Sequence, residues 1–240
     1  MKKSIFIDGL TKYYEDFLAL DGLSLEIEEN EDVALLGPNG AGKSTVLKLI
    51  CGLLFPSSGD VKIEGVSIRE NREKVVGKLG VILETPEFYP YLTPRETLNY
   101  LGELRKVPED NLDERIDEVL ETVKLEKWKD TKIEKFSRGM KQRLAISQAL
   151  LHDPSILLLD EPSLGLDPRG MSDVRDILVE ERESKTVLLA SHLLNEVVRI
   201  CDKVALIDHG ELRTYDTTKN LEAEYGSLEE AYMKLTGGSE

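Results

Sequence analysis

The chain has 240 residues, of which 40% are hydrophobic, and a formal net charge of −15. This length fits one α/β domain, or one domain that carries a subdomain. The acidic balance argues against non-specific binding of nucleic acid, which needs lysines and arginines facing phosphates, so we expect no nucleic-acid partner. No apolar run approaches the roughly 20 residues of a membrane helix, and the N terminus lacks the apolar region of a signal peptide. We therefore expect that the chain does not itself span a membrane.

Only two cysteines occur, Cys51 and Cys201, and their spacing does not resemble that of metal ligands. Both lie in apolar surroundings, which predicts buried, reduced thiols rather than a disulfide. Reduced thiols are typical of a protein of the cytosol.

Near the N terminus, two stretches alternate apolar and polar residues, and each predicts a half-buried strand: Ser4 to Asp8 and Leu23 to Ile27. Tyr14 lies between them. Its ring could pack in the interior or offer a platform for another ring, and the local pattern alone favours packing.

A glycine-rich stretch from Gly37 to Thr45, GPNGAGKST, follows the short apolar run Val33 to Leu36. It matches glycine, four residues, then Gly-Lys-Ser/Thr, and it lies between a predicted strand and a predicted helix, as a phosphate-binding loop does. Backbone N–H groups of such a loop surround phosphate oxygens, Lys43 reaches the β- and γ-phosphates, and the Ser44 hydroxyl ligates Mg²⁺. We therefore predict a nucleoside triphosphate and Mg²⁺ at this loop, which also includes Pro38, Asn39, Gly40, Ala41 and Gly42.

A turn is predicted at Pro56 to Asp60, and short strands at Val61 to Gly65 and Leu79 to Leu83. The next stretch, from Glu84 to Leu92, holds two prolines and predicts a loop. Thr93 then has the signature of a helix N-cap, with Pro94 at the first helical position and Glu96 as the capping-box partner. Helical spacing continues to about Leu150, so we predict that residues 86–150 form a helical subdomain inserted between strands.

Four consecutive apolar residues, from Ile156 to Leu159, predict a parallel strand that is covered on both faces. Asp160 and Glu161 follow at its carboxyl end, where open α/β sheets bind ligands. Downstream of a phosphate loop, Asp160 would hold Mg²⁺ directly or through water, and Glu161 is a candidate general base for the attacking water.

Two more strands are predicted further along, each from a short apolar run. Thr186 to Ala190 is a buried strand that leads into Ser191 and His192, and Val204 to Asp208 is the last strand. Between Glu161 and these strands, Asp167-Pro168 predicts the start of another helix.

The segment FSRGMKQR, from Phe136 to Arg143, resembles the signature motif of ATP-binding cassette (ABC) ATPases, most often written LSGGQ. The resemblance covers nearly the whole chain. Asp160 to Pro168 resembles the Walker B strand end and D-loop of that family, and Ser191-His192 resembles its switch-histidine loop. It implies that ATP is the nucleotide, that Tyr14 stacks on adenine in place of packing inside, and that His192 contacts the γ-phosphate.

The chain departs from the family pattern at three positions. Arg138 stands where the family usually has glycine and Met140 where it usually has glutamine, while Ser137 and Gly139 are retained. Glu84 stands at the Q-loop position, where a carboxylate can still ligate Mg²⁺. These features, and the C-terminal tail, resemble the branch of ABC-2-type and peptide-antibiotic exporters.

The resemblance implies an α/β fold: a P-loop NTPase core with a mostly parallel sheet, an N-terminal antiparallel β subdomain and the inserted helical subdomain. Residues 1–240 would form a single ABC ATPase domain, with the core at 1–85 and 151–220 and a short tail at 221–240. Two cassettes would dock head to tail, each presenting Ser137 and Gly139 to the other's ATP. Both halves of that site occur in one chain, which favours a homodimer.

The implied function is that of an ATP-hydrolysing subunit that drives transport, in the direction of export, through a separate membrane permease. The chain would then be cytoplasmic, held through the permease on the inner face of the membrane. The alternative is a soluble, non-transport ABC ATPase, for example one of the iron–sulfur assembly type.

Overall fold

The computed structural model describes residues 2–83 and 85–237. The strands in these residues are β1 (Lys3–Tyr14), β2 (Phe17–Glu28), β3 (Asp32–Leu36), β4 (Ser58–Ile63), β5 (Val66–Ser67), β6 (Leu79–Ile82), β7 (Ile156–Asp160), β8 (Thr186–Ala190), β9 (Lys203–Asp208) and β10 (Glu211–Thr217). The α-helices are α1 (Lys43–Ile50), α2 (Arg72–Val76), α3 (Pro94–Leu104), α4 (Glu109–Thr122), α5 (Arg138–Leu150), α6 (Pro168–Glu181), α7 (Leu194–Ile200), α8 (Thr218–Tyr225) and α9 (Leu228–Thr236). Short 3₁₀ helices lie at Glu126–Trp128 and Ile133–Lys135.

The N-terminal sheet is antiparallel and has the strand order β2-β1-β4-β5. The first two strands are longer than predicted, because β1 continues to Tyr14 and β2 already begins at Phe17. Tyr14 and Phe17 are paired with each other. Register shifts between Ile7 and Leu10, between Leu10 and Lys12 and between Lys12 and Tyr13 interrupt the pairing beyond Ile7. Such irregularities break the two-residue alternation of side chains, which is why the sequence pattern predicted only the regular part of β1.

The second sheet has the order β10-β9-β3-β8-β7-β6, and its strands are parallel except for the antiparallel β10. As predicted, β7 is buried on both faces. Leu157 and Leu159 belong to one hydrophobic core, whereas Ile156 and Leu158 belong to the other. Because β3, β6, β7 and β8 run in one direction, their carboxyl ends lie along the same edge of the sheet.

The helices α3, α4 and α5 occupy the chain between β6 and β7, and the apolar positions of α4 face inward. The predicted helix start is confirmed: the Thr93 hydroxyl accepts from the Glu96 N–H at 3.2 Å, and Glu96 Oε2 accepts from the Thr93 N–H at 2.8 Å. Asp167 likewise caps α6, as predicted, by accepting from the Gly170 N–H at 2.8 Å.

The structure corrects two predictions from the sequence. Val204 to Asp208 is not the last strand, because β10 pairs with β9 beyond it. As an edge strand β10 is half-buried except at the exposed Arg213 and has no apolar alternation, so no periodic pattern marked it. The predicted turn at Pro56 to Asp60 is shorter, since β4 begins at Ser58.

Both cysteines are buried free thiols, as predicted. Among residues 2–83 and 85–237, no helix is long and apolar enough to cross a membrane.

Candidate functional site

A cleft of about 640 Å³ opens at the carboxyl edge of the second sheet. Loops that follow β3, β7 and β8 meet there, together with the β1–β2 hairpin and the start of α5. The lining residues named at the sequence level are Tyr14, Asn39, Gly40, Gly42, Lys43, Ser44, Thr45, Arg138, Asp160, Glu161 and His192. Of the remaining predicted residues, Gly37, Pro38, Ala41, Ser137, Gly139 and Met140 are not among the described residues that line the cleft. Glu84 lies outside the described residues.

The phosphate loop turns from β3 into α1 on three glycines with positive φ, Gly37 at 156°, Gly40 at 84° and Gly42 at 109°. At Gly42 a side chain would also collide, because a Cβ there would lie 2.7 Å from Leu20 Cδ2. Only glycine fits such a backbone. The result is that the start of α1 lies at the cleft, and its first N–H groups, which have no partner within the helix, favour an anion there.

Lys43, the first residue of α1, is buried and folds back over the loop. Its Nζ donates to Gly37 O at 2.7 Å and to Pro38 O at 3.0 Å. Burial lowers the pKa of the Lys43 amine below its ordinary value, although the Glu161 and Asp160 carboxylates act in the opposite direction. This amine is therefore held by two carbonyl oxygens that phosphate oxygens can replace.

Asp160 ends β7 and Glu161 follows it, and the chain turns sharply before α6 begins. Glu161 has a φ of 48°, in the left-handed region, and its N–H donates to Ala190 O of β8 at 2.9 Å. Non-glycine residues rarely adopt this conformation, and those that do are concentrated at functional sites. The turn places both carboxylates in the cleft.

The loop after β8 holds the Glu161 carboxylate from the other side. His192 Nδ1 lies 2.7 Å from Glu161 Oε1, and the Ser191 hydroxyl donates to Oε2 at 3.4 Å. Ser191 Oγ in turn accepts from the Leu193 N–H at 3.0 Å. A carboxylate oriented by a histidine is suited to general acid–base chemistry. From the sequence we expected His192 only to contact the γ-phosphate. Its direct contact with the Glu161 carboxylate was not predicted.

Tyr14 lies at the mouth of the cleft with 41% of its surface exposed. Packing in the interior, which the local pattern favoured, is therefore wrong, and the ring is open as a platform. Lys12 Nζ lies 5.3 Å from its centroid. Phe17, opposite Tyr14 in the hairpin, also lines the cleft and is exposed. The sequence reasoning missed Phe17, for which an aromatic ring directly after the turn at residues 15–16 was the available signal.

The signature segment begins α5. Ser137 is the N-cap, and its hydroxyl accepts from the Met140 N–H at 3.2 Å. Arg138, Lys141 and Gln142 extend from this end of the helix to the cleft. The helix N terminus thus adds a positive end to the same edge of the molecule.

Comparison with known proteins identifies the family to which this chain belongs. The family model described as ABC transporter matches residues 20–164, more than half of the chain. The chain belongs to the ABC transporter family. Members of this family hydrolyse ATP to power transport, so the predicted ATP-hydrolysing cassette is confirmed.

Curated relatives of this cassette include the uncharacterised ABC transporter ATP-binding protein YdbJ of Bacillus subtilis, 43% identical over 97% of this chain and 78% of the relative. The bacitracin transport ATP-binding protein BcrA of Bacillus licheniformis is 38% identical over 88% of this chain and 69% of the relative. The linearmycin resistance ATP-binding protein LnrL of Bacillus subtilis is 34% identical over 97% of this chain and 75% of the relative. These names confirm the resemblance to the branch of antibiotic exporters.

Solved structures agree with the cassette fold. An ATP-binding subunit of an ABC transporter superposes with a TM-score of 0.86 at 30% identity, over 96% of this chain and 98% of that one. The cbiO1 protein of Clostridium perfringens, part of the complex cbiONQ, gives a TM-score of 0.85 at 31% identity, over 93% of this chain and 92% of that one. The predicted α/β fold, with its antiparallel N-terminal sheet and mostly parallel second sheet, is confirmed.

The cassette binds ATP, and its cleft contains side chains that are suited to holding Mg²⁺. The Ser44 hydroxyl and the Asp160 carboxylate both line it, and oxygen ligands of this kind suit Mg²⁺, which is usually held by one or two protein groups together with phosphates and water. No cluster of three or more histidine, cysteine, aspartate or glutamate side chains suited to a metal occurs in the described part of the chain.

Proposed function

We propose that this cassette drives export through a separate membrane permease, and that Glu161 is the base of its ATPase reaction. The observation that carries the proposal is the Glu161–His192 pair, 2.7 Å apart, in one cleft with Lys43 and Asp160. Relatives named for bacitracin transport and linearmycin resistance support the direction of transport.

The chemistry follows from the positions of these groups. Glu161 would accept a proton from the attacking water, and His192 would orient the carboxylate and contact the γ-phosphate. Lys43 exchanges its carbonyl partners for β- and γ-phosphate oxygens. Ser44 and Asp160, together with Glu84 of the predicted Q-loop, would hold Mg²⁺, which would supply positive charge to stabilise the transferring group. Tyr14 stacks on the adenine ring.

The active form is a head-to-tail dimer of two copies of this chain. The N terminus of α5, with Ser137 and Gly139, faces the γ-phosphate bound to the partner's phosphate loop. Because this contact exists only while the γ-phosphate is present, ATP favours the closed dimer and hydrolysis releases it. The chain works on the cytoplasmic side, attached to the membrane through its permease.

The surface for the permease lies on the loop before α3. Tyr89 and Tyr91 are 59% and 60% exposed, with ring centroids 5.6 Å apart. Phe88 packs against the hydrophobic core and anchors this loop. Two adjacent exposed aromatic rings are typical of a contact surface for another protein.

The base is tested by steady-state turnover of ATP with Mg²⁺. Glu161→Gln keeps the shape but removes the proton acceptor, so we expect kcat to fall roughly 10²–10⁴-fold, the usual contribution of such a base. Glu180→Gln, at an exposed position of α6, is the matched control and retains wild-type turnover. Normal turnover by Glu161→Gln would remove Glu161 from this role.

The partner is tested by recovering the tagged chain from membranes and identifying what accompanies it. We expect an integral membrane protein, lost when Tyr89 and Tyr91 are both changed to serine and retained in the control Leu53→Ser, where the side chain is equally exposed at 59%. Recovery of a soluble iron–sulfur assembly scaffold in its place would favour the non-transport alternative.

A further inference from the structure

Arg138 occupies a signature position where the family usually has glycine, and its side chain has a defined place in the fold. It is the first residue of α5 and lies against Gly165, in the loop between β7 and α6. A Cβ built on Gly165 would lie 2.5 Å from Arg138 Cζ and 2.7 Å from Nη2. The guanidinium group therefore fills the space above the Gly165 Cα.

The backbone at Gly165 is connected to Glu161 by two tight turns. The Leu164 N–H donates to Glu161 O at 3.1 Å, and the Leu166 N–H donates to Ser163 O at 3.2 Å. Gly165 has a φ of +71°, and it is one residue beyond Leu164, which lines the cleft. A shift of this turn is thus transmitted directly to Glu161, the candidate base.

The contact is one of packing. The Arg138 side chain makes no hydrogen bond or ion pair with residues 2–83 and 85–237, and it is exposed. A guanidinium group is planar and weakly hydrated, so it packs well on a flat peptide surface. A glycine at position 138 would leave this space to water.

A second close approach joins the same two segments. A Cβ on Gly139 would lie 3.8 Å from the Gly170 Cα in the first turn of α6. The signature end of α5 thus lies against this loop at Gly165 and against the first turn of α6 at Gly170.

We infer that Arg138 is a positioning residue of the ATPase reaction: its guanidinium holds the turn at Gly165 and thereby sets the position of Glu161 in the cleft. The inference rests on the proposed role of Glu161. In this arrangement the signature segment and the base move together, so a contact made at α5 is transmitted to Glu161 within the same chain.

The test is a double-mutant cycle on the full chain, with kcat and KM for ATP as the readouts. Arg138→Ala removes the guanidinium, and Gly165→Ala displaces it by adding a Cβ in its place. We expect each change to lower kcat on the order of tenfold, the scale of a small displacement of a catalytic group, with KM within about twofold because neither residue belongs to the phosphate loop. The double variant should be no slower than either single variant, since both changes break one contact.

Two controls separate this effect from others. Gly65→Ala places a Cβ at a similar φ of +79°, with nothing within 4 Å, and should leave kcat unchanged. Arg138→Lys keeps the positive charge without the planar group, so it should restore little of kcat.

Wild-type kcat in Arg138→Ala, multiplicative losses in the double variant, or a raised KM at unchanged kcat would each overturn the inference. Full rescue by lysine would also do so, by assigning the effect to charge. Failure of the proposed role of Glu161 can be told apart from failure of this inference about Arg138. In the first case Glu161→Gln would turn over ATP normally, whatever residue stands at position 138.

Discussion

Mild acid should destabilise the folded chain through His152, because folding keeps this buried side chain from binding a proton. His152 Nε2 lies 3.1 Å from Leu79 O, and because a carbonyl only accepts, this nitrogen carries the hydrogen. Nδ1 is buried and has no hydrogen-bond partner among the described residues. Burial lowers the pKa of His152 from 6.5 to about 4, and Arg105 and, to a smaller extent, Arg115 act in the same direction, whereas the hydrogen bond to Leu79 and the charge of Asp153 raise it.

The direction and size of the effect follow by linkage. As pH falls below 6.5 the unfolded chain binds a proton at this position while the folded chain does not, so stability is lost between pH 6.5 and about 4. For this shift, the free energy of unfolding should fall by about 2 kcal/mol at pH 5 compared with neutral pH.

The assay is urea denaturation at pH 7.5 and pH 5. The variant His152→Gln can still donate to Leu79 O but cannot be protonated. Its free energy of unfolding should therefore fall less between pH 7.5 and pH 5 than that of the wild type, by about 2 kcal/mol. His209→Gln is the control, since that side chain is 69% exposed. Equal pH-dependent losses in the wild type and His152→Gln would refute the assignment.

Three further expectations follow from the geometry. Gly42→Ala combines a φ of 109° with a Cβ 2.7 Å from Leu20 Cδ2, so it should lower the free energy of unfolding by about 1–3 kcal/mol and abolish ATP binding, both readable by thermal melting with and without nucleotide. Tyr14→Ala should raise KM for ATP about tenfold at unchanged kcat, because base stacking contributes about 1–3 kcal/mol, and Tyr14→Phe should restore KM. Thr93→Ala removes the cap that accepts from Glu96 and should lower stability in urea by about 1 kcal/mol.

Features with a local cause were predictable from the sequence. The phosphate loop has its glycines because a backbone turn needs them, and Asp160 and Glu161 follow a run of apolar residues because β7 is covered on both faces. The capping box at Thr93 is likewise a contact between residues three apart. In each case the residues that make the feature are neighbours in the chain, so the pattern alone carried the information.

Features that depend on tertiary contacts were not predictable. The bond between His192 and Glu161 requires β7 and β8 to be neighbours, and no local pattern specifies that pairing. The same holds for the packing of Arg138 on Gly165, where the sequence showed only a departure from the usual glycine.

The measurement that tests the account most directly is the ATP-dependent oligomeric state of the Glu161→Gln chain, determined by sedimentation. With ATP and Mg²⁺ bound but not hydrolysed, this variant should accumulate as a dimer. Adding Gly139→Asp, which places a negative charge at the signature end of α5, should leave ATP binding intact but keep the chain monomeric. A Glu161→Gln chain that binds ATP and remains monomeric, or a dimer that is unaffected by Gly139→Asp, would contradict an ATP site shared between two copies.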